Sequence, residues 1–282
     1  MSNDYAKFIL GIQEAMLISA LPSDKAEHRP ARTRTVHDLA EVVVDIVAEL
    51  KPDVCLEIGA HAADFSRRIK PRLPTARAVA FEANPKVVAR FKKQAEEMGI
   101  EYLHQCIADK DTKLKFQVPG TDHEYASMGS ILTYKELDSV ATYEVDAVRL
   151  DNFSNVSSKR NVMWIDVEGA IGQILDGGPK ALTNCVALFA ELEGQKRWEG
   201  QILDMEVVDR LATVGLVPIL RDIQRHRWQH NILFVRESEL ANRNILRICA
   251  AYWQRNINAA VAKEASAETK RKAAGLIAMM PH

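Results

Sequence analysis

Short apolar runs alternate with segments whose apolar residues recur at helical spacing, and this alternation restricts the chain to few folds. The runs typical of buried strands are 54–58, 76–82, 101–108, 161–166 and 185–193. Helical patterns follow at 61–70, 86–98, 168–176 and 201–214. Strands that alternate with helices form mainly parallel sheets covered by helices on both faces. The sequence therefore predicts an α/β fold with a doubly wound, mainly parallel, Rossmann-like sheet.

Three stretches depart from this rhythm. The apolar runs 216–222 and 230–237 are separated by a short connection, which predicts an antiparallel hairpin at the C-terminal end of the sheet. Residues 113–118 alternate between apolar and polar and indicate a short β excursion. Residues 119–150 contain Gly120, Gly129 and several Ser and Thr residues, and they predict a long functional loop or lid.

Helical patterns also flank the alternating region. Apolar stripes predict helices over 5–20, 36–50 and 239–275, with a basic linker at 24–35 between the first two. We therefore expect an N-terminal helical extension over 1–50, a main domain over 51–237 and a C-terminal helical extension over 238–282. A homodimer through the flanking helices is left open by this arrangement.

Composition and charge exclude several classes of protein. The net charge of −1 offers no global field for nucleic acid or anionic lipid, so we expect no nucleic-acid partner. No window of uncharged apolar residues is long enough to span a membrane, and the N-terminus does not resemble a signal peptide. The four cysteines are far apart and lie in apolar runs, which is typical of reduced core residues in a cytoplasmic protein.

The end of the first strand favours a particular kind of nucleotide. The segment CLEIGAHAADFS, residues 55–66, contains only Gly59, whereas dinucleotide loops usually carry three glycines. Glu57 would repel a pyrophosphate but suits an ammonium group. S-adenosylmethionine (SAM) places a methionine tail at this position, which tolerates alanines in the loop. The first loop therefore favours SAM over a dinucleotide.

The ends of the other strands carry further acids, and ligands of such sheets bind at the carboxyl ends of the strands. Glu82 ends the second strand, roughly 20–25 residues after the glycine, where an acid can accept hydrogen bonds from ribose hydroxyls. Asp109 follows Ala108 at the end of the third strand and suits the exocyclic amine of adenine. The fourth strand ends in Asp166 and the fifth carries Glu191.

Several motifs resemble those of the FkbM-type SAM-dependent methyltransferases. EIGAHAADFS resembles the first loop of that family, AFEANP resembles its A-F-E-P-N-P segment, and VRLDNF resembles its LDD segment. WIDVEGAIGQILDGG, residues 164–178, resembles K-I-D-V-E-G-A-E-x-x-V-L-x-G and is the most specific match. LFAELEG resembles a later strand. The resemblance covers about residues 52–236 and implies a class I methyltransferase fold.

The resemblance also implies roles for individual residues. The methionine end of SAM would be lined by Glu57, Gly59, Ala60, Phe65 and Ser66, with His61 as a further cofactor-side loop residue. The ribose would be bound by Glu82, with Ala83 and Asn84 beside it, and adenine would face Ala108 and Asp109. Asp166 and Glu168 would face the reaction centre, Asp166 also contacting the cofactor.

Three positions depart from the family pattern. The second glycine of the first motif is Ala63 here, and the proline of the second motif is Ala83. The lysine before the I-D-V-E-G segment is Trp164, a change that could alter the acceptor site.

The acids at the fourth and fifth strand ends suggest the chemistry. Methyl transfer to a hydroxyl needs a base that removes the proton as the new bond forms, and Asp166 or Glu168 could serve. Glu191 at the same edge of the sheet is a candidate for acceptor binding. We assign no metal ligand, although two carboxylates two residues apart could share a divalent ion. Each of these acids could instead cap a helix.

The leading hypothesis is a SAM-dependent methyltransferase that O-methylates a small molecule, a sugar or a glycan; the resemblance supplies the preference for oxygen. An NAD-dependent oxidoreductase is the second hypothesis, since Glu82 would suit NAD equally well. A binding or scaffold protein without turnover is the third, because Trp164 and the helical extensions leave room for it.

Overall fold

The computed structural model describes Gln13 and residues 29–119, 128–134, 140–222 and 228–264, and within them ten strands form two sheets. The strands are β1 Val54–Ile58, β2 Arg77–Glu82, β3 Glu101–His104, β4 Cys106–Ala108, β5 Thr112–Pro119, β6 Val140–Arg149, β7 Asn161–Ile165, β8 Cys185–Glu193, β9 Leu216–Arg221 and β10 Gln229–Arg236. The helices are α1 Arg29–Leu50, α2 Asp64–Ile69, α3 Pro85–Glu97, α4 Ile171–Gly177, α5 Pro179–Thr183, α6 Asp204–Thr213 and α7 Arg243–Glu264.

The larger sheet has seven strands in the order β3-β2-β1-β7-β8-β10-β9. The pairs from β3 to β8 are all parallel, whereas β10 runs antiparallel to both β8 and β9. The strands are apolar runs buried along most of their length because helices cover both faces of the sheet. The predicted α/β fold class, with a parallel core, a C-terminal antiparallel hairpin and a class I methyltransferase arrangement, is confirmed.

The strand order reverses between β1 and β7, and this junction brings two distant segments together. From β1 the chain proceeds through β2 to β3 at one edge, and it later returns to the other side of β1 as β7. The amide of Asp166 donates to the carbonyl of Ile58 at 2.9 Å, so the ends of the two strands stay side by side. Ligands of doubly wound sheets bind in the crevice at such a junction.

A second sheet of three strands, ordered β4-β6-β5, corrects two predictions. The predicted strand 101–108 is divided at Gln105: β3 belongs to the large sheet, and β4 crosses to the small one. The predicted loop 119–150 is wrong over 140–149, because β6 pairs with β5 from Val140 to Ala147 and with β4 from Ala147 to Arg149. The β excursion over 113–118 is confirmed as part of β5. Residues 120–127 and 135–139 of the predicted lid lie outside the described residues.

Helices form a layer on each face of the large sheet. One core contains apolar side chains of α4, α5 and α6. The other contains apolar side chains of α1, α2 and α7, including the buried Tyr252 and Trp253. Asn256 of α7 donates to Asp38 of α1 at 3.1 Å. The flanking helices thus pack these apolar faces against the rest of the same chain. None of the described helices is long and apolar enough to cross a membrane.

The N-terminal helix starts earlier than the sequence indicated. Helix α1 begins at Arg29, so the predicted linker is wrong over residues 29–35. Pro30 lies in the first turn, where a missing N–H costs no hydrogen bond. The predicted helix over 5–20 lies outside the described residues except for Gln13, whose amide donates to the carbonyl of Ile219 at 2.9 Å. The domain boundaries at residues 50 and 237 stay predictions.

Trp164 replaces the lysine of the family pattern, and its position explains why the change is tolerated. Its ring stacks on Phe189, with centroids 3.8 Å apart, and on Phe65 at 5.3 Å. These contacts belong to the core under α1 and α7. Asp166 lies two residues further on, beyond the end of β7. The tryptophan therefore faces the helix layer rather than the cavity described below.

Candidate functional site

A cavity opens at the carboxyl ends of β1, β2 and β7 and encloses ≈ 690 Å³, its open mouth included. Its walls come from strand ends of both sheets and from the segment 128–134. The lining residues are Ile58, Gly59, His61, Phe81, Glu82, Ala83, Gln105, Cys106, Ile107, Phe116, Gly129, Ser130, Ile131, Asp166, Val167 and Ala170. The cavity thus brings together five of the predicted site residues: Gly59, His61, Glu82, Ala83 and Asp166.

Gly59 allows the loop after β1 to pass directly over the end of β7. Its φ of +81° lies in the left-handed region, which favours glycine. A Cβ at this position would lie 1.7 Å from the carbonyl oxygen of Asp166, far inside contact distance. The amides of Gly59 and Ala60 both donate to the carbonyl of Phe81, at 3.0 and 2.9 Å. Only glycine fits this crossing, and it fixes the loop after β1 beside Asp166.

Glu57 is used inside the protein. Its carboxylate accepts hydrogen bonds from the amides of Phe65 at 3.0 Å and Ser66 at 2.8 Å, in the first turn of α2. Burial raises the pKa of Glu57 to about 7, although these hydrogen bonds act in the opposite direction. Glu57, Ala60, Phe65 and Ser66 are all buried and do not line the cavity. Their contact with the methionine end of SAM stays a prediction.

Glu82 lines the cavity and is held in place by the backbone. One carboxylate oxygen accepts from the amide of His61 at 2.8 Å, and the other accepts from the amide of Asn84 at 2.7 Å. The pKa of Glu82 is raised by burial, against the effect of these hydrogen bonds. A carboxylate has about four acceptor positions, and the backbone of Ala83 also hydrogen-bonds to this one, so at least one position remains for a ligand. The side chain of Asn84 caps α3 by accepting from Lys86 N at 3.0 Å.

His61 forms the cavity wall beside Glu82. Its φ of +43° is also left-handed, and its carbonyl accepts a hydrogen bond from the hydroxyl of Tyr102. Its ring packs against Phe91, with centroids 5.2 Å apart. Burial lowers the pKa of His61, which favours the neutral ring. A neutral, packed ring agrees with its interpretation as a loop residue on the cofactor side rather than a base.

The apolar end of the cavity differs from the one expected from the sequence. Cys106, Ile107 and Phe116 line it, whereas Ala108 and Asp109 do not. Ala108 is fully buried, and its carbonyl would lie 2.0 Å from a Cβ on Gly177. The chain turns toward the second sheet at Gln105, which moves the cavity-facing residues toward the start of β4. Contact of Ala108 and Asp109 with adenine stays a prediction.

Three carboxylates meet at the ends of β7 and β8. One oxygen from each of Asp166, Glu168 and Glu191 lies within 4.8 Å of the others. The side chain of Asp166 lines the cavity and is exposed to solvent there, although many protein atoms lie around it. Burial raises its pKa well above the usual range, and the charge of Glu191 and a hydrogen bond with it act in the same direction. The ionised forms of these three acids therefore disfavour one another.

Glu168 occupies a strained turn that follows Asp166. Its φ is +45°, and the next residue, Gly169, has a φ of +82°. The hydroxyl of Ser130 donates to the carbonyl of Glu168 at 2.8 Å. Ser130 is itself paired with Gln117 of β5 through two backbone hydrogen bonds of 2.8 and 2.9 Å. The second sheet therefore holds the turn that presents Glu168.

The sequence did not single out Gln105, Cys106 or Phe116 as site residues. Phe116 belongs to the excursion over 113–118, and no pattern indicated that this excursion would return to the cavity. Glu193, two residues after Glu191, was not among the predicted site residues either. Burial raises the pKa of Glu193 to about 7, and the charge of Glu191 acts in the same direction. Period-2 spacing along β8, which places Glu191 and Glu193 on one face, was the signal that could have identified it.

The comparison with known proteins now defines the class. The family model described as "Methyltransferase FkbM domain" matches residues 57–226, which is more than half of the chain. The chain belongs to the FkbM methyltransferase family, and by class it is a SAM-dependent methyltransferase. This membership favours SAM over NAD as the ligand of the cavity.

Individual relatives are more distant. The 2-O-methyltransferase NoeI of Sinorhizobium fredii is 27% identical over 186 residues, covering 59% of this chain and 74% of NoeI. The methyltransferase FkbM of Methylobacillus flagellatus KT is 10% identical with a TM-score of 0.44, covering 65% of this chain but only 44% of that one. Magnesium protoporphyrin IX methyltransferase of Synechocystis PCC 6803, with bound SAM, is 11% identical with a TM-score of 0.41, covering 79% and 90%.

We predict that Gly59→Ala disrupts the site because its new methyl group would collide with the carbonyl of Asp166. Gly200→Ala is the matched control: Gly200 has a similar φ of +75°, but nothing lies within 4 Å of its Cβ position. The control should lose only the stability that an alanine in the left-handed region costs, about 1–2 kcal/mol. Urea unfolding and SAM titration should show a clearly larger loss for Gly59→Ala. Equal losses in the two variants would contradict the close crossing.

We predict that Glu82→Ala weakens SAM binding by about 1–3 kcal/mol, the scale of a buried hydrogen-bonded group. Glu101→Ala is the control, since Glu101 lies on the neighbouring strand β3 and pairs with Arg77 on the surface. Calorimetric titration with SAM, and with NAD in parallel, measures the effect. Binding of NAD in place of SAM, or an equal effect of the two substitutions, would contradict the assignment of Glu82.

Proposed function

We propose that this protein transfers the methyl group of SAM to a hydroxyl oxygen of a small molecule, a sugar or a glycan. The observation that carries the proposal is the position of Asp166, which lines the cavity and meets Glu168 and Glu191 within 4.8 Å. Carboxylates at this point suit a hydroxyl acceptor, whose proton must be removed. The relative NoeI is named as a 2-O-methyltransferase, which agrees with oxygen as the acceptor atom.

The residues of the cavity fit SAM chemically. Glu82 presents its remaining acceptor positions to ribose hydroxyls, while Ile107 and Phe116 supply apolar surface for a purine ring. Gly59 keeps the first loop close to the floor of the cavity without offering a phosphate site. When bound, SAM supplies an electrophilic methyl group on a sulfonium sulfur.

The chain's own contribution is to orient the acceptor and take its proton. As the acceptor oxygen bonds to the methyl carbon, the carbon–sulfur bond breaks and its electron pair stays on sulfur. The hydroxyl proton passes to a carboxylate oxygen, for which we propose Asp166 or Glu168. Asp166 lines the cavity directly, and a raised pKa makes its carboxylate a stronger base. Glu191, the third carboxylate of the cluster, would bind the acceptor.

A divalent ion is an alternative use of the same oxygens, since hard cations prefer carboxylate ligands. We place proton transfer first because Asp166 lines the cavity in which the acceptor would bind. Assays with and without EDTA separate the two roles. A cytoplasmic location and a homodimer through the flanking helices stay predictions; the four cysteines are free, as expected for a reducing compartment.

We predict that Asp166→Asn or Glu168→Gln lowers kcat by about 10²–10⁴-fold, the usual contribution of a general base, while SAM affinity is largely retained. Asp176→Asn is the control, because Asp176 lies on the exposed side of α4 and pairs with Arg210. The assay transfers labelled methyl groups to a panel of hydroxyl, amine and thiol acceptors, with mass spectrometry of the product. Methylation of nitrogen or sulfur alone, or full activity of both variants, would reject the proposal.

The pH profile tests the carboxylate pair separately. The base works only when ionised, so kcat falls as pH decreases through its pKa. Burial and then Glu191 raise the pKa of Asp166. Removing the neighbouring charge in Glu191→Gln should therefore lower that pKa and move the acid limb of kcat to lower pH. An acid limb that stays in place would show that Asp166 is not the titrating base.

A further inference from the structure

A row of polar side chains leads from the cavity across β8 to β10 on one face of the large sheet. Trp164 and Phe189 lie opposite each other on β7 and β8, and their rings stack with centroids 3.8 Å apart. Side chains two residues apart on a strand point to the same face, so Asp166 and Glu191 are the next pair along this face. Both belong to the cluster of carboxylates within 4.8 Å of one another. The row therefore begins at the proposed base.

Strand β10 continues this row with two carboxamides. Residues directly opposite each other in an antiparallel pair share a face. Gln229 lies opposite Glu193, and Asn231 lies opposite Glu191. The two carboxamides are only 6% and 5% exposed, so neither is a surface residue. A buried carboxamide costs free energy unless it is hydrogen-bonded, and the partners of these two side chains therefore indicate their roles.

The two carboxamides have different partners. Asn231 donates from Nδ2 to Asp222 at 2.7 Å, and its backbone amide donates to the same carboxylate at 2.9 Å. Gln229 donates from Nε2 to Oε1 of Glu191, diagonally across the strand pair. A long side chain can reach a diagonal neighbour in this way. Gln229 thus joins β10 to the acidic cluster, although it does not itself line the cavity.

The hydrogen bond from Gln229 acts on both the orientation and the charge of Glu191. A donated hydrogen bond favours the ionised form of a carboxyl group over its neutral form. The charge of Glu191 in turn raises the pKa of Asp166 and is the largest cause after burial. A higher pKa makes Asp166 a stronger base. Gln229 therefore acts on the proposed base through Glu191.

Other charges act on the same row. Within the described part of the chain, the charged groups around Glu191 on the packed elements are Asp166, Glu168, Glu193, Arg197, Arg221 and Asp222. The acids disfavour an ionised Glu191 and the arginines favour it. His230 points to the other face of β10, and burial keeps its ring neutral by lowering its pKa. Gln229 is uncharged, so a neutral replacement leaves all these charges in place.

We propose that Gln229 is a positioning residue that holds Glu191 ionised beside Asp166. The inference rests on the proposed function, because it concerns the base of that reaction. Loss of the carboxamide should weaken the base severalfold without removing any group that touches the acceptor or SAM. The antiparallel hairpin would then contribute to proton transfer as well as to the fold.

Carbon-13 NMR of labelled carboxyl groups tests this without turnover, with EDTA present to remove divalent ions. Spectra of Asp166→Asn and Glu191→Gln identify the two resonances. Gln229→Met keeps the length of the side chain but removes the donor. We expect the titration midpoint of Glu191 to rise by about one pH unit, the equivalent of one hydrogen bond. The midpoint of Asp166 should fall, because a proton on Glu191 removes the charge that acts on it.

The opposite movement of the two midpoints distinguishes positioning from a loss of structure. Entry of water into a loosened site would relieve the burial of both carboxyl groups and lower both midpoints. That result, or two unmoved midpoints, overturns the inference. Gln173→Met on α4 is the matched control and should move neither midpoint, because the side-chain oxygen of Gln173 has no hydrogen-bond partner. Gln229→Asn is too short to reach Glu191 and should behave like Gln229→Met, which it replaces if that variant fails to fold.

A double-mutant cycle tests the route through Glu191. In the Glu191→Gln background, Gln229→Met should shift neither the midpoint of Asp166 nor the acid limb of kcat any further. A further shift as large as in the unmodified protein overturns the inference. The expected midpoints without methyl transfer to any hydroxyl would reject the proposed function alone, whereas methyl transfer with unmoved midpoints would reject the role of Gln229 alone. Circular dichroism and unchanged SAM affinity show that the variants are folded.

Discussion

The crossing of the β1 loop over the end of β7 is the contact on which the rest of the site depends. Gly59 allows it, because any side chain there would occupy the position of the Asp166 carbonyl. The hydrogen bond from the amide of Asp166 to the carbonyl of Ile58 holds the end of β7 beside the end of β1. As a result, the loop that would hold the methionine end of SAM lies beside the carboxylate that would take the proton. One piece of backbone geometry would therefore position both the cofactor and the proposed base.

The acids at the strand ends look equivalent in sequence, but the fold uses them differently. Glu57 is buried, and its carboxylate accepts hydrogen bonds from two amides in the first turn of α2. Glu82 is oriented by two amides and still faces the cavity. Asp166 lines the cavity and lies beside two further carboxylates, Glu168 and Glu191. The difference follows from the direction of each side chain relative to the cavity, which strand position alone does not give.

The parts of the fold that could be predicted are those with local patterns. Alternation between strands and helices was sufficient for the parallel core, and the short connection before residue 230 was sufficient for the hairpin. The second sheet was not predictable in the same way, because β6 pairs with β5 across a long connection and carries many polar residues on its exposed face. For the same reason Phe116 and Cys106 were missed, since only that sheet turns them toward the cavity.

The three residues that depart from the family pattern differ in their position relative to the cavity. Trp164 stacks between aromatic rings under the helix layer, away from the cavity. Ala63 is fully buried, and its φ of +57° shows that it takes the left-handed conformation that glycine would adopt more easily. Ala83 alone of the three lines the cavity. Differences from the family in cofactor binding should therefore arise at Ala83. Residues 129–131 also line the cavity but lie outside the shared motifs, so we expect differences in acceptor choice there.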